Sequence, residues 1–170
     1  HFWNKAVQVA AQGESAFQTF FQPVAEHLGK GGTLPGFEKQ YFDGLSGTTL
    51  GQQWFELAEA TATTYQAMDP SARVPWAGPS MSARSAISAR QMETWAHGQE
   101  VFDVLGADRI EDDRIRNIVV LGINTYSWTF KVRGENPPEL MPYVELVSPS
   151  GEVWTYGERQ DDNCIRGSAV

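Results

Sequence analysis

Apolar residues recur every three or four positions over most of the first 135 residues, which predicts a series of helices. The clearest example follows Thr48 and Thr49, either of which could be the N-cap residue. Its apolar positions form a single stripe, namely Leu50, Trp54, Leu57, Ala58, Thr61, Tyr65 and Met68. This helix should pack its stripe against a core and end before Pro70.

Two shorter helices are predicted before it, over residues 1–11 and 15–28. Pro23 should kink or shorten the second of them, because proline removes one helical hydrogen bond. Glycine and proline are concentrated in residues 29–36 and 74–79, and both stretches are predicted to be loops.

A longer helix begins after Ser80 or Ser82, each a good N-cap residue, and runs to Leu105. Gly106 then suits the position just after a helix end. Another helix is predicted over residues 111–133, with acidic residues in its first turn.

The pattern changes near the C-terminus, where apolar and polar residues alternate. A strand is predicted over residues 143–147 and another over residues 152–156, and the turn residues 148–151 should join them into a β-hairpin. Residues 163–166 could begin a third strand. The fold class is therefore mainly α, a helical bundle followed by the start of a small α+β module.

The composition of the chain limits the classes of molecule that it is expected to bind. The 170 residues carry a formal net charge of −8, which argues against nucleic acid or an anionic membrane surface as a partner. No apolar run is long enough to span a bilayer. The single cysteine, Cys164, suits a reducing cytoplasm, where we expect the protein to be. A small-molecule substrate is the expected partner, and a homodimer is an open possibility.

Glu93 and His97 lie four residues apart in a predicted helix, so their side chains share one face. On spacing alone, an exposed salt bridge is the commoner arrangement. Such a pair can also hold one divalent metal ion, with a third ligand from another helix. The neighbouring residues are apolar, namely Met92, Trp95, Ala96, Val101 and Phe102, so we expect partial burial. Arg90 stands three residues before Glu93, and Glu100 three after His97, where it could orient the imidazole.

A metal centre needs a third ligand, and the chain has only two other histidines. His27 ends a short helix beside the glycine loop, and we expect it to be exposed. His1 lies on the first helix but is a terminal residue. Trp76 lies in the loop before the helix that carries the pair, where it could wall a pocket or plug the end of the bundle.

Four blocks of sequence occur in one order: WAGPSMS (76–82), METWAHGQ (92–99), VRGENPP (132–138) and SGEVWTYG (150–157). In this order they resemble a metal-binding family of actinobacterial type, related to the mycothiol-dependent maleylpyruvate isomerases in the DinB-like four-helix-bundle superfamily. The METWAHGQ block is specific and the others are supportive. The resemblance implies a DinB-like bundle over residues 1–107, without its N-terminal helix, and part of a sterol-carrier-like α+β module over residues 108–170.

The same resemblance implies a His, Glu, His metal triad, with zinc most expected and nickel as the other candidate. Glu93 and His97 match the second and third ligands, and Glu100 matches an acidic position one turn beyond. The first ligand of relatives aligns just upstream of His1, or with His1 itself in a slipped register. Residues two apart on a helix point about 200° apart, so the two positions cannot substitute for each other.

Two function classes follow. In relatives the metal binds the thiol of a low-molecular-weight cofactor, which implies a mycothiol-type thiol-dependent transferase or isomerase. In that hypothesis Arg90 binds a carboxylate of the substrate or cofactor. The alternative is a non-catalytic module that binds a metal or a small molecule.

Overall fold

The computed structural model describes residues 1–170, which divide into two compact units, His1–Arg90 and Gln91–Val170. The chain forms six α-helices, one short 3-10 helix and two small sheets. This confirms the predicted fold class, a helical bundle followed by a small α+β region. The predicted domain boundary after residue 107 stays a prediction. None of the helices has the length and apolarity needed to cross a bilayer.

The first unit is helical, with one short antiparallel ribbon of two strands. Its elements are α1 (Phe2–Ala10), α2 (Glu14–Gly29), α3 (Leu34–Tyr41), α4 (Gly47–Gln66), β1 (Arg73–Val74), β2 (Met81–Ser82) and the first part of α5 (Ala83–Leu105). Helix α1 packs against α2 and α4, and α2 also packs against α3.

The core of this unit lies where α1 meets α2, α4, β1 and the start of α5. Its buried residues are Ala6, Val7, Ala10, Phe17, Tyr65, Val74, Ala83 and Ala86. The hydroxyl of Tyr65 donates a hydrogen bond of 2.9 Å to the carbonyl of Val7, which joins α4 to α1 inside the core. Burial raises the pKa of Tyr65 to about 12, because the charged phenolate is poorly solvated there.

Some predictions for this unit were wrong in detail. Helix α2 continues through Pro23 to Gly29, so Pro23 does not shorten it, while a kink at Pro23 stays a prediction. Phe17 and Val24 are buried on either side, so packing outweighs one lost hydrogen bond. Helix α3 begins inside the predicted glycine loop, because Thr33 caps it by accepting from the amide of Gly36.

The N-cap of α4 is Ser46, which accepts a hydrogen bond from the amide of Thr49. Neither predicted residue therefore takes this role, and the helix starts earlier than expected. The ribbon β1–β2 was also missed, because two-residue strands carry no alternation for a sequence pattern to show.

The second unit contains the rest of α5, a 3-10 helix (Asp113–Ile115), α6 (Arg116–Lys131), β3 (Tyr143–Val147), β4 (Val153–Tyr156) and β5 (Cys164–Ser168). The three strands form one sheet in the order β4-β3-β5, in which β4 is antiparallel and β5 parallel to β3. The predicted hairpin and third strand are therefore confirmed.

The hairpin turn is tied to the 3-10 helix by Asp113. Its carboxylate accepts hydrogen bonds from the amide of Ser150 at 3.0 Å and from the hydroxyl of Ser150 at 2.7 Å. These bonds lower the pKa of Asp113, and the charge of Arg116 adds to the effect. This pair of hydrogen bonds, called the Asp113–Ser150 latch below, fixes where α6 begins relative to the sheet.

Much apolar surface stays exposed in this unit. No residue of α6 is buried, and its Trp128 is 47% exposed. Apolar residues near the end of α5 are exposed as well, namely Val101, Val104 and Leu105. The second unit therefore buries little of its helical surface.

Candidate metal centre

Helix α5 carries the four residues that the sequence assigns to the site directly, namely Arg90, Glu93, His97 and Glu100. It starts where the hydroxyl of Ser82 accepts a hydrogen bond from the amide of Ser85, 3.1 Å away. It ends at Leu105, and Gly106 follows with a φ of 60°, which glycine adopts without steric cost. Both predicted ends are confirmed, so Glu93 and His97 lie in the body of a continuous helix.

The structure brings three of these side chains together. His97 Nε2 lies 3.4 Å from Glu93 Oε2, and His97 Nδ1 lies 3.3 Å from Glu100 Oε1. Two ligands at 2.0–2.2 Å from one tetrahedral zinc ion are about 3.3–3.6 Å apart, so the Glu93–His97 spacing suits a shared ion. The carboxylate of Glu100 lies beside the other ring nitrogen, which is the position of a carboxylate that orients a ligating imidazole.

The pair is more exposed than its apolar neighbours led us to expect. The side chains of His97 and Glu93 are 70% and 45% exposed, and that of Glu100 is 78% exposed. The expectation of partial burial is therefore wrong for His97, because the apolar residue on the same face, Val101, is itself 59% exposed and nothing packs over it. Exposed pairs of this kind contribute little to stability.

A complete protein ligand set is absent from the chain. No group of three or more histidine, cysteine, aspartate or glutamate side chains is close enough to hold a metal ion. Glu93 and His97 thus fit two positions of a tetrahedral ion, and no third protein ligand stands beside them.

The other histidines occupy aromatic surroundings in the first unit. The ring of His1 packs edge-on against Phe42 with centroids 5.8 Å apart, and its Nδ1 is buried without a hydrogen-bond partner. The expectation that His27 is exposed is wrong: its Nε2 is buried without a partner, and its ring packs 5.8 Å from Phe37. Gly32 must be glycine, since a Cβ there would collide with the His27 ring.

Arg90 is the last residue of the first unit and lies one turn before Glu93 on α5. Its assignment to a substrate carboxylate stays a prediction.

A groove of about 940 Å³ lies on a different face of α5, lined by Trp95, Gln99, Phe102, Asp103, Arg109 and Glu111, among others. Arg109 forms an ion pair with Glu111, and its guanidinium lies 4.8 Å above the ring of Trp95. Trp95 Nε1 donates to Glu111 in turn, at 3.0 Å. No local pattern predicts this cluster, because the loop after Gly106 is what brings Arg109 and Glu111 back to α5.

Trp76 belongs to the core rather than to a pocket wall. Its ring centroid lies 5.9 Å from those of Trp3 and Phe17, and it packs against the buried cluster. Of the two roles left open for Trp76, these contacts favour the structural plug.

Residues 3–102 match the family described as the mycothiol maleylpyruvate isomerase N-terminal domain. The chain belongs to this family. The matched region contains Arg90, Glu93, His97 and Glu100, so the candidate centre lies inside the part of the chain that defines membership in the mycothiol maleylpyruvate isomerase N-terminal domain family. The sheet of the second unit lies outside it.

Two uncharacterized proteins of Mycobacterium tuberculosis, MT0041 of strain CDC 1551 and Rv0036c of strain H37Rv, are each 43% identical to the chain over 97 residues. The similar region covers 57% of this chain and 38% of each relative, well under half of the relatives' length. No solved structure matches the chain.

Proposed function

We propose that this protein binds a divalent metal ion through Glu93 and His97 and acts as a mycothiol-type thiol-dependent transferase or isomerase on a small molecule. Zinc is the first choice of metal and nickel the second. The observation that carries the proposal is the geometry at His97. Nε2 faces Glu93 at 3.4 Å while Nδ1 faces Glu100 at 3.3 Å, and membership in the family supports it.

Each residue has a distinct role in this proposal. Glu100 holds the proton on Nδ1, so that the lone pair of Nε2 is available. Glu93 supplies a second, anionic donor on the same face. Arg90 binds a carboxylate of the substrate or thiol cofactor. When bound, a divalent ion lowers the pKa of a coordinating thiol, so that the sulfur is nucleophilic at neutral pH.

The third protein ligand is proposed to be a histidine. His1 is the candidate within the chain, and the other is a residue that precedes it in a longer protein. A His1→Ala variant separates the two, because only the first choice predicts that metal affinity falls. The exposure of His97 leaves coordination positions open to water, thiol and substrate.

Metal analysis of the purified protein tests the proposal. A stoichiometric divalent ion should be present, and Glu93→Ala and His97→Ala should each release it. Glu26→Ala is the matched control, because Glu26 is also an exposed helical acid with a partner four residues away, Gln22. Metal content that is unchanged in Glu93→Ala and His97→Ala would rule out the site.

The second candidate function is a non-catalytic module that binds a metal or a small molecule. The exposure of the pair favours it, since metal-assisted catalysis gains most where water is excluded. Turnover that requires both the metal and an added low-molecular-weight thiol would establish the enzyme. Metal binding without such turnover would establish the module. A cytoplasmic location and a homodimer belong to the same proposal.

A further inference from the structure

The groove beside the second half of α5 has the size and the lining of a small-molecule site. It lies entirely within the second unit, and its volume of about 940 Å³ falls in the range of about 300–1,000 Å³ that such sites have. Part of its lining is apolar, namely Trp95, Ala96, Phe102 and Ala107. A concave surface that combines aromatic rings with a few charged groups is the usual form of a ligand site.

One wall of the groove already holds a cation of the chain itself. The guanidinium of Arg109 lies 4.8 Å from the ring centre of Trp95 and 6.0 Å from that of Phe102. Its Nη1 donates to the carbonyl of Trp95 at 2.7 Å, and the side chains of Arg109 and its ion-pair partner Glu111 are only 13% and 14% exposed. Aromatic rings and a carboxylate therefore stabilise a positive charge at this wall.

The remaining charges of the groove are negative and uncompensated. Arg109 and Glu111 neutralise each other, which leaves the carboxylates of Asp103 and Asp108 in the lining. Asp103 accepts a hydrogen bond of 2.7 Å from Gln99, which is neutral, and Asp108 forms no ion pair. Both aspartates are exposed, so a molecule in the groove can reach them.

We propose that this groove binds a small organic cation, an amine or a guanidine attached to an apolar body. The positive group lies beside Asp103 and Asp108, and the apolar body covers the accessible parts of Trp95 and Phe102. An anion of the same shape meets two uncompensated carboxylates, and a neutral molecule gains only the apolar contact. The site is independent of the metal proposal, since the groove is lined by none of the residues assigned to the metal centre.

The test uses the full chain labelled with 15N-tryptophan and three probes of similar shape, namely phenethylamine as the cation, phenethyl alcohol as the neutral molecule and hydrocinnamate as the anion. Each is titrated at neutral pH and constant ionic strength. Trp95→Phe identifies the Trp95 indole signal among the six tryptophans. That signal should shift saturably with phenethylamine, with an affinity about fivefold or more above that for the other two probes.

Variants assign the two carboxylates. Asp103→Asn and Asp108→Asn each remove one charge and keep the shape of the side chain. Each should weaken phenethylamine binding about two- to fivefold, as expected for an exposed ion pair, and the double variant should weaken it further. Asp162→Asn is the matched control, since Asp162 is an exposed acid of the same unit that does not line the groove.

Three results would overturn the proposal. The first is a Trp95 indole signal that shows no saturable shift with phenethylamine. The second is an equal affinity for the cationic, neutral and anionic probes, since charge would then play no part in binding. The third is a loss of affinity in Asp162→Asn as large as in Asp103→Asn and Asp108→Asn, because binding would then follow the overall charge of the chain and not the groove.

Discussion

Helix α5 passes through both units, and its two halves differ. The first half buries Ala83 and Ala86 in the core of the first unit, whereas no residue of the second half is buried. The second half carries Glu93, His97 and Glu100 on an accessible face. The comparison shows that one helix contributes both to the core of the first unit and to the candidate metal centre. Stability should therefore depend on the first unit, while the candidate site tolerates substitution.

The largest predicted difference is between a core side chain and an exposed one. Phe17 is buried and stacks on Phe21 with centroids 5.5 Å apart, so Phe17→Ala should lower the free energy of unfolding by about 3–5 kcal/mol. Val104 is 87% exposed, and Val104→Ala should change it by less than about 0.5 kcal/mol. Urea unfolding of both variants measures the contrast.

A larger loss of unfolding free energy in Val104→Ala would contradict the comparison, since it would mean that the face of α5 carrying Val104 is covered in solution. Repeating the measurement at several protein concentrations identifies a homodimer as the cover, because only association makes the unfolding midpoint depend on concentration.

A smaller effect is predicted for the hydrogen bond that joins α1 to α4. Tyr65→Phe should cost about 0.5–1.5 kcal/mol, the usual net contribution of one hydrogen bond, because the carbonyl of Val7 still accepts from the amide of Ala11 at 3.4 Å. The pKa of Tyr65 is raised from 10.0 to about 12 in the folded protein. Stability from this group is therefore fully present below pH 10 and is lost as the pH rises from 10 towards 12.

Urea unfolding of the wild type and of Tyr65→Phe over this pH range measures the effect. The wild type should lose stability more steeply than the variant, which has no ionisable group at position 65. Parallel pH profiles would show that the phenol is not held in its neutral form by the core.

The smallest predicted effect concerns the latch of the second unit. The pKa of Asp113 is lowered from 3.8 by its hydrogen bonds to Ser150. The latch should therefore stabilise fully above this value and weaken as the pH falls through the lower, folded-state pKa. Stability differences between the wild type and Ser150→Ala should shrink towards low pH, measured by urea unfolding from about pH 6 to pH 2. A difference that is constant with pH contradicts the latch.

Local signals in the sequence were sufficient to predict the ends of elements that are set by a single cap or turn residue. Ser82 and Gly106 marked the ends of α5, and the Ser148–Gly151 turn marked the hairpin. Thr33 and Pro35 were equally valid start signals for α3, but the neighbouring glycines led to a loop assignment. Composition was a weaker guide there than the cap residue itself.

The missed features depend on contacts between distant parts of the chain. Burial of Phe17 and Val24 carries α2 through Pro23, and burial cannot be read from spacing. The exposure of His97 was missed because counting apolar neighbours does not tell which faces of a helix are covered. The guanidinium of Arg116 lies 5.6 Å from the centre of the Trp154 ring, and this contact joins residues 38 positions apart, which no local pattern shows.

Zinc titration of 15N-histidine-labelled protein, followed by NMR of the imidazole nitrogens, tests the central claim most directly. Zinc should coordinate Nε2 of His97 while Nδ1 stays protonated beside Glu100. Glu93→Ala should abolish or strongly weaken binding, Glu100→Gln should weaken it about 10–100-fold, and Glu26→Ala should leave it unchanged. Zinc that coordinates Nδ1, leaves His97 untouched or binds equally well to Glu93→Ala would contradict the account.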